Sequence, residues 1–378
     1  MTDREALLAA IRAVPDDDLP RLVYADWLEE NAGSLPAEER DCAGDRAAFI
    51  RSQVEAAQAE PFSPSARLAA DRAARLLTPA NRTAWSLSLH GLVSECSFER
   101  GFIEHAAVDA AQFLDAAEAI FEAEPIRSLR VNRPRPSEWE FEVPLEPIFE
   151  QSRLRQITAL DLREIELSHD DCEKLVESPH TGGLVHLGLA GNPIFPPWFR
   201  RVIESDAWPN LSSLDLAEIS NLGPAIAAAF KSANHRRFAK LDLSGIGFRS
   251  DDLKKTLASP CVAGIEELRL RWQSGGFSPG SLTHLDLGWV IPWDNLRLLD
   301  LDGQGLGAEG VRAIAQEPRA ANLRWLGLAR NALIGDAVTI LTEESSLNLY
   351  YLDVRQSRLG FNDAVALRRR YPEAKIML

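Results

Sequence analysis

Apolar residues recur at a regular spacing through residues 157–378. The segment from Leu184 to Asn192 has the form L-x-x-L-x-L-x-x-N, and its first position recurs mostly every 27 residues, with one step of 31 residues from Ile265 to Leu296. Alternation of apolar and polar residues over so short a segment predicts a β-strand with one buried face. The fourth position is leucine in every copy: Leu160, Leu187, Leu214, Leu241, Leu268, Leu299, Leu326 and Leu352.

The second half of each unit has the spacing of a helix. Apolar residues stand at i, i+3 and i+4, for example at Phe199, Val202 and Ile203, and so share one helical face. Neither the strand nor the helix can bury its apolar face alone, so neighbouring units must stack around one continuous core. The pattern therefore predicts an α/β solenoid of parallel strands and helices.

This repeat resembles that of the leucine-rich repeat family, and its helices and period resemble the ribonuclease-inhibitor-like subclass. The resemblance implies a horseshoe with parallel strands on the concave side and helices on the convex side. The family's asparagine at the ninth position normally ties the turn to its neighbour's backbone. It occurs here only as Asn192 and Asn331, so we expect this ladder of side chains to be interrupted.

The unit over residues 265–295 is irregular. Residues 273–280 have the composition of a loop, and a second copy of the motif, from Leu282 to Leu287, follows them. We interpret the segment as one unit whose helix is replaced by an extended segment. One additional short repeat is the alternative.

Residues 1–58 are predicted to form an N-terminal α-helical domain, with one helix over Leu19–Glu30 that begins behind acidic residues. Four segments carry a further likeness: Leu7-Leu8-Ala-Ala-Ile11, Pro15-Asp-Asp-Asp18-Leu-Pro20, Tyr24-Ala-Asp26-Trp27-Leu-Glu-Glu30-Asn31 and Asp45-Arg46-Ala-Ala-Phe49-Ile50-Arg51. Together they closely resemble the bacterial repeat-companion domain, a helical module found mostly in planctomycetes at the N-terminus of repeat proteins. That family has no established activity, so the resemblance implies a bacterial origin and a domain order, and no chemistry.

Residues 59–156 are predicted to link the two regions and to cap the solenoid. Helices are expected over residues 65–77 and 109–121, and Ile126-x-x-Leu129-x-Val131 fits the first strand of a degenerate repeat. Terminal repeats of solenoids are commonly atypical. The predicted domains are therefore residues 1–58, 59–156 and 157–378.

The charge of the chain bears on its partners. The 378 residues include 41 Lys and Arg against 56 Asp and Glu, a formal charge of −15, and more than half of this excess lies in residues 1–60. Nucleic acid and anionic lipid both attract basic surfaces, so we expect neither as a partner. The sequence shows no membrane span and no secretory signal. Four scattered cysteines favour a reduced, cytoplasmic protein, which we expect to be monomeric.

No motif supports catalysis, and we expect neither enzyme activity nor a cofactor or metal. The glycine-rich segments lack the Lys and Ser or Thr of a phosphate-binding loop, and the seven histidines form no i, i+4 pair. Cys172 takes the helical position that Phe199 holds in the next unit, which predicts a buried thiol and not a nucleophile. Asp170 and Asp171 behind Ser168 are predicted to begin a helix and not to bind a metal.

Positions 3, 5 and 7 of the repeat point to the concave face, because side chains alternate along a strand. Position 3 places Leu298, Trp325 and Tyr351 side by side, and position 5 is mostly Asp. An exposed apolar cluster surrounded by charge is typical of a protein interface, and its acids would favour a partner with Lys or Arg beside its apolar anchors. The predicted site comprises Leu298, Trp325, Tyr351, Asp300, Asp302, Asp353, Arg355 and Arg271.

Two alternatives to this interface remain. The two rings pack on each other or are covered by the chain end, and the aspartates are ordinary surface residues. A second candidate surface is an acidic run in the N-terminal helices, which is either a solvated helical face or a docking surface for a basic partner. It comprises Asp16, Asp17, Asp18, Asp26, Glu29 and Glu30.

We therefore predict a non-catalytic protein–protein interaction scaffold that binds a polypeptide on the concave face of its repeats. The alternative is an adaptor whose N-terminal helical module recruits a separate enzyme to a target held by the repeats. A fold does not by itself determine a function, so the choice depends on the geometry of the candidate surface.

Overall fold

The chain forms two compact units, Met1–Asp161 and Leu162–Leu378. The structure, a computed structural model, describes residues 2–133, 143–220, 222–233, 235–272, 287, 290–333 and 336–378. Most of the irregular unit expected over residues 265–295, including Leu282 and Leu285, lies outside the described residues. The choice between one irregular repeat and an additional short one therefore stays open.

The first unit begins with helices. They are α1 (Asp3–Ala13), α2 (Leu19–Glu30), α3 (Ala37–Arg40), α4 (Ala43–Gln58), α5 (Pro64–Leu76) and α6 (Pro79–Trp85), with short 3₁₀ turns at Ala32–Ser34 and Leu87–Leu89. The helix predicted over Leu19–Glu30 has the predicted limits. Thr2 caps α1, because its hydroxyl accepts the Glu5 N–H (3.2 Å) while the Glu5 carboxylate accepts the Thr2 N–H (2.7 Å).

A small sheet completes the first unit. Its elements are β1 (Glu95–Glu99), β2 (Phe102–Asp109), α7 (Ala110–Ala123), β3 (Ser128–Asn132), α8 (Glu146–Phe149), a 3₁₀ turn (Ser152–Gln156) and β4 (Ala159–Asp161). β1 and β2 are antiparallel, whereas β2, β3 and β4 are parallel neighbours in that order. Leu129 and Val131 are fully buried in β3, as the repeat pattern predicts.

Residues 1–58 share a core with the first strands. Arg21 is fully buried and forms an ion pair with Glu104 of β2, with 2.7 Å between Nη2 and Oε1. Phe102 belongs to the same apolar cluster as Tyr24, and their ring centroids are 5.6 Å apart. These contacts tie the N-terminal helices to β2, so the independent folding of residues 1–58 is a prediction that truncation of the chain can test.

Parallel strands form the sheet of the second unit. They are β5 (His186–Gly188), β6 (Ser213–Asp215), β7 (Lys240–Asp242), β8 (Glu267–Arg269), β9 (Leu298–Asp300), β10 (Trp325–Gly327), β11 (Tyr351–Asp353) and β12 (Lys375–Met377). Each strand pairs with the next in sequence, and the leucines of the fourth position stand opposite one another, as in Leu187–Leu214 and Leu214–Leu241. The predicted repeat register is therefore confirmed.

Helices connect successive strands of the second unit. They are α9 (His169–Glu177), α10 (Pro196–Glu204), α11 (Gly223–Ser232), α12 (Ser250–Leu257), α13 (Ala308–Ala315), α14 (Ala337–Thr339), which continues as a π-helix (Ile340–Glu344), and α15 (Phe361–Arg370), with 3₁₀ turns at Pro260–Val262, Trp293–Asn295 and Pro318–Asn322. Ser168 and Asp171 cap α9 reciprocally, which confirms the predicted helix start. The unit is an α/β solenoid built of strand–turn–helix repeats of the leucine-rich kind.

The ninth position of the repeat carries more side chain–backbone bonds than its two asparagines suggest. Asn192 and Asn331 each donate to the carbonyl at the sixth position of the preceding unit. Gln304 and Ser357 donate to the equivalent carbonyls. The ladder is therefore less interrupted than expected, because other donors replace asparagine. The apolar residues at this position are Ile165, Ile219 and Ile246.

Candidate interaction surface

The strand face of the second unit, formed by positions 3, 5 and 7 of its repeats, carries a stacked aromatic pair. Trp325 and Tyr351 lie opposite each other in β10 and β11. Their ring centroids are 5.7 Å apart and their planes differ by 15°. Both residues are half-buried, so the rings pack on each other, as one alternative held, and still present area to solvent.

Leu298 does not contribute to the exposed surface, contrary to expectation. It is 3% exposed, although it stands at the same position of the repeat as the two rings. In the sheet it lies between Glu267 and Trp325, and a short side chain between longer neighbours is covered by them. The apolar surface at this place is therefore the aromatic pair alone.

Residues of β12, which the sequence analysis did not name, complete the surroundings of the aromatic pair. The Tyr351 hydroxyl donates to Met377 Sδ (3.3 Å), and Lys375 Nζ lies 5.6 Å from the centroid of the Tyr351 ring. Lys375 and Met377 stand opposite Tyr351 and Asp353 in the register of the sheet. Continuing the repeat by one more strand would have identified both.

Gly327 gives the Trp325 ring the room to lie along the sheet. A Cβ at this position would come within 2.7 Å of Trp325 Cζ3 and would also collide with the Asp300 carboxylate. Position 5 holds an aspartate in both adjoining strands, at Asp300 and Asp353. The glycine in between therefore determines the orientation of the indole.

The aspartates of position 5 have a structural role that the sequence analysis did not assign. Each accepts a hydrogen bond from the backbone N–H two residues further on, as in an Asx turn. The distances are 3.0–3.2 Å for Asp215 to Ala217, Asp242 to Ser244, Asp300 to Asp302 and Asp353 to Arg355. They are therefore not ordinary surface residues, since they shape the turn that follows each strand.

The acidic side chains near the aromatic pair are also bound to arginines of the same face. Asp353 binds Arg355 at 2.7 Å, and Asp302 binds Arg330 through two contacts of 2.8 and 2.9 Å. In the first pair, the arginine side chain is 58% exposed and the aspartate 8%. The basic member thus faces solvent, and the expected selection of a partner rich in Lys or Arg loses its physical basis.

Asp300 is the most unusual of these acids. It is 6% exposed, and burial raises the pKa of its carboxyl to about 6, although the Asp302 N–H and the Arg271 guanidinium oppose this shift. Arg271 Nε lies 3.7 Å from Asp300, while its Nη2 lies 3.1 Å from Asp242. One arginine thus bridges two buried acids, and neither acid is free to bind a partner.

The acidic run of the N-terminal helices is largely paired within the first unit. Asp17 accepts the Leu19 N–H at 2.9 Å, and Glu30 is exposed. The other four residues form ion pairs: Asp16–Arg127 (3.2 Å), Asp18–Arg100 (3.7 Å), Asp26–Arg51 (2.7 Å) and Glu29–Arg51 (2.7 Å). The structure thus brings Asp26 and Glu29 to one arginine, and does not gather all six into one unpaired patch.

Catalytic and metal chemistry were also sought among the described residues. No group of three His, Cys, Asp or Glu side chains in this part of the chain could hold a metal ion. Burial raises the pKa of the Cys172 thiol to about 12, so this residue is a poor nucleophile. The helices in the described ranges include none with both the length and the apolar composition of a membrane span.

Comparisons with known proteins add little to this geometry. No family model matches the sequence, and no curated protein matches it. Among solved structures, the chain is similar to the crystal structure of the Rad7 and Elc1 complex in yeast, with 15% sequence identity and a TM-score of 0.49. The match covers 72% of this chain and 68% of that chain. The fold and the surface are therefore interpreted from the repeats of this chain itself.

Proposed function

We propose that the second unit binds a polypeptide segment on its strand face and that the protein is a non-catalytic interaction scaffold. The observation that carries this proposal is the stacked, half-buried pair of Trp325 and Tyr351 on two adjacent strands. Rigid aromatic side chains give a large contact area and lose little conformational entropy on binding, which is why they are common hot spots.

The proposed face is the concave side of the second unit. Strands repeat about every 4.8 Å, whereas a helix with its side chains is about 10–12 Å wide. A stack with strands on one side and helices on the other is therefore shorter along the strands and curves towards them. A concave face gives a partner contact with several repeats at once, which suits an extended segment.

The exposed charges favour a partner with carboxylates beside an apolar anchor. Arg355 and Arg330 present their guanidinium groups to solvent next to the aromatic pair, while the carboxylates they bind are buried. Lys375 lies on the other side of Tyr351. An arginine has five N–H donors, so one that binds an aspartate keeps donors for a second acceptor. We therefore propose an apolar side chain flanked by Asp or Glu as the recognised motif.

Selection of short random peptides displayed on phage, with the full-length protein as bait, tests this proposal. We expect enrichment of sequences with an aromatic or aliphatic residue next to Asp or Glu. The Trp325→Ala/Tyr351→Ala double variant should lose binding of these peptides by at least about 30-fold, because removing a hot spot costs about 2 kcal/mol or more.

The control is Phe361→Ala, which removes an 81% exposed ring from helix α15 of the same unit. This variant should bind the selected peptides as the wild type does. If the double variant keeps its circular dichroism spectrum and binds the same peptides normally, the strand face around β10 and β11 is not the binding site.

A further inference from the structure

A cavity of about 490 Å³ lies within the first unit. Helices α1, α2, α4 and α6 line it, together with the start of β2 and the segment after α7. Much of its wall is apolar, formed by Leu8, Ile11, Leu28, Leu35 and Phe102. Its volume lies within the roughly 300–1,000 Å³ of small-molecule sites, which are mostly apolar and hold a few placed polar groups.

An arginine surrounded by aromatic rings forms one side of this cavity. The guanidinium carbon of Arg46 lies 4.8 Å from the centroid of Trp85, 5.2 Å from Phe98, 5.5 Å from Phe102 and 5.7 Å from Phe49. The rings hold the cation by cation–π attraction. Desolvation lowers the pKa of Arg46 to about 10, so the side chain remains positively charged at neutral pH.

Three hydrogen-bond donors of residues that line the cavity are buried without a partner. They are Nη1 of Arg46, Nε1 of Trp85 and Nε of Arg4. Burying a donor without an acceptor costs free energy, and most when the donor is charged. Three such atoms around one cavity, all of them donors, are complementary to a ligand that supplies acceptors.

The net charge of the cavity wall indicates a monoanion. Three arginines line it, Arg4, Arg12 and Arg46, against two acids, Glu39 and Glu124. Arg4 and Glu39 neutralise each other, with 2.6 Å between Nη2 and Oε2. A doubly charged phosphate would require more donors than this largely apolar wall offers, whereas one carboxylate is satisfied by a few.

We propose that this cavity binds a small monocarboxylic acid with an apolar body. The carboxylate accepts hydrogen bonds from Arg46 and Trp85, and the body lies against the apolar wall of α1 and α2. Charge-assisted bonds of this kind are the strong ones in proteins. The site is distinct from the strand face, and its test does not depend on whether that face binds a polypeptide.

Isothermal titration calorimetry of the full-length protein with decanoate and 3-phenylpropanoate tests the ligand class. At least one acid should bind, and its neutral amide, decanamide or 3-phenylpropanamide, should bind at least about tenfold more weakly, because the amide has no charge to pair with Arg46. If neither acid binds, or if acid and amide bind equally, the proposal is wrong.

Two variants test the residues. Arg46→Met keeps an apolar side chain and removes the charge, and Trp85→Phe keeps an aromatic ring and removes the donor; each should weaken binding of the acid at least about tenfold. Arg75→Met, on the exposed side of α5, is the matched control and should bind normally. If Arg46→Met does not fold, Trp85→Phe decides, and unchanged affinity in that variant contradicts the proposed contacts.

A cysteine at the cavity gives a readout of position. Cys42 lines the cavity, and the equally half-buried Cys96 of β1 does not. The bound acid should slow alkylation of Cys42 by N-ethylmaleimide, measured by mass spectrometry of peptides, and leave the rate at Cys96 unchanged. If an acid binds without slowing the reaction at Cys42, it binds elsewhere and the assignment of the cavity fails.

Discussion

At the strand ends of the second unit, single aspartate side chains hold the turns that follow. Asp215, Asp242, Asp300 and Asp353 each accept an N–H two residues further on. The bond lets the chain leave the strand without an unsatisfied amide, so an acidic residue recurs there for a reason unrelated to binding. Among these residues, Asp300 combines this role with deep burial, and its ionisation therefore affects stability.

The Asp300→Asn substitution should remove a dependence of stability on pH. The folded protein raises the pKa of this carboxyl from 3.8 to about 6, so between these values the folded state binds more protons than the unfolded state. Its contribution is therefore most favourable below about pH 4 and declines as the pH rises to about 6. Asparagine keeps an acceptor oxygen for the Asp302 N–H and has no charge to bury.

We expect the variant to gain stability relative to the wild type as the pH rises, by up to ~3 kcal/mol at pH 7. Urea unfolding of both proteins at several pH values between about 4 and 7 measures this difference. A difference that is constant with pH would show that ionisation of Asp300 is not linked to folding.

At the scale of the repeat, side chains at the ninth position join one unit to the next. Asn192 is buried, accepts the N–H groups of Ile165 and Leu167 (both 3.2 Å), and donates to the carbonyls of Leu162 (2.7 Å) and Leu189 (2.9 Å). These backbone groups have no access to water, so the side chain satisfies donors and acceptors that the turn would otherwise leave unpaired.

Asn192→Ala should destabilise the second unit by about 2–4 kcal/mol, because several buried backbone groups lose their partner at once. Ser357→Ala is the matched comparison: Ser357 stands at the same position of its repeat and donates to Leu328 O (3.1 Å), and its loss should cost about 1 kcal/mol. Chemical denaturation of the two variants measures both values. Equal costs would mean that the number of bonds at this position does not determine its contribution.

The strand–helix elements could be predicted from the sequence because stacking fixes which positions are apolar. Leu214 had to be apolar in the fold that the repeat implied, and it is 1% exposed. The partners of polar side chains could not be predicted in this way. Arg271 binds an acid 29 residues before it and one 29 residues after it, and the burial of Leu298 depends on neighbours in two other strands. Such contacts require the position of each strand beside the next.

At the scale of the whole molecule, the N-terminal helices belong to a unit that extends to Asp161. The acidic composition of residues 1–58 favours a separate solvated domain. Two of the strongest links in the structure, the buried Arg21–Glu104 pair and the core around Phe102, cross the end of that segment. Glu104 also binds Arg100 at 2.9 Å, so it would retain one cation if Arg21 were absent.

Deletion of residues 2–58 should destabilise what remains of the first unit. It leaves Glu104 with one arginine fewer and exposes the face of Phe102 that packs on Tyr24. We expect Phe102–Asp109 and Ser128–Asn132 to lose protection against amide hydrogen exchange, measured by mass spectrometry on the deleted and the full-length chain. Unchanged protection in these strands would establish residues 1–58 as a separable domain.

The strict order of the strands from β5 to β12 has a mechanical consequence. Each of these strands is hydrogen-bonded to its neighbours in sequence, so no bond of this sheet joins distant repeats directly. Under tension along the chain, the load passes from repeat to repeat like the load on links in series, and the weakest interface yields first. A scaffold of this design lengthens in steps as single repeats detach from one end, while the repeats that still hold each other keep their structure.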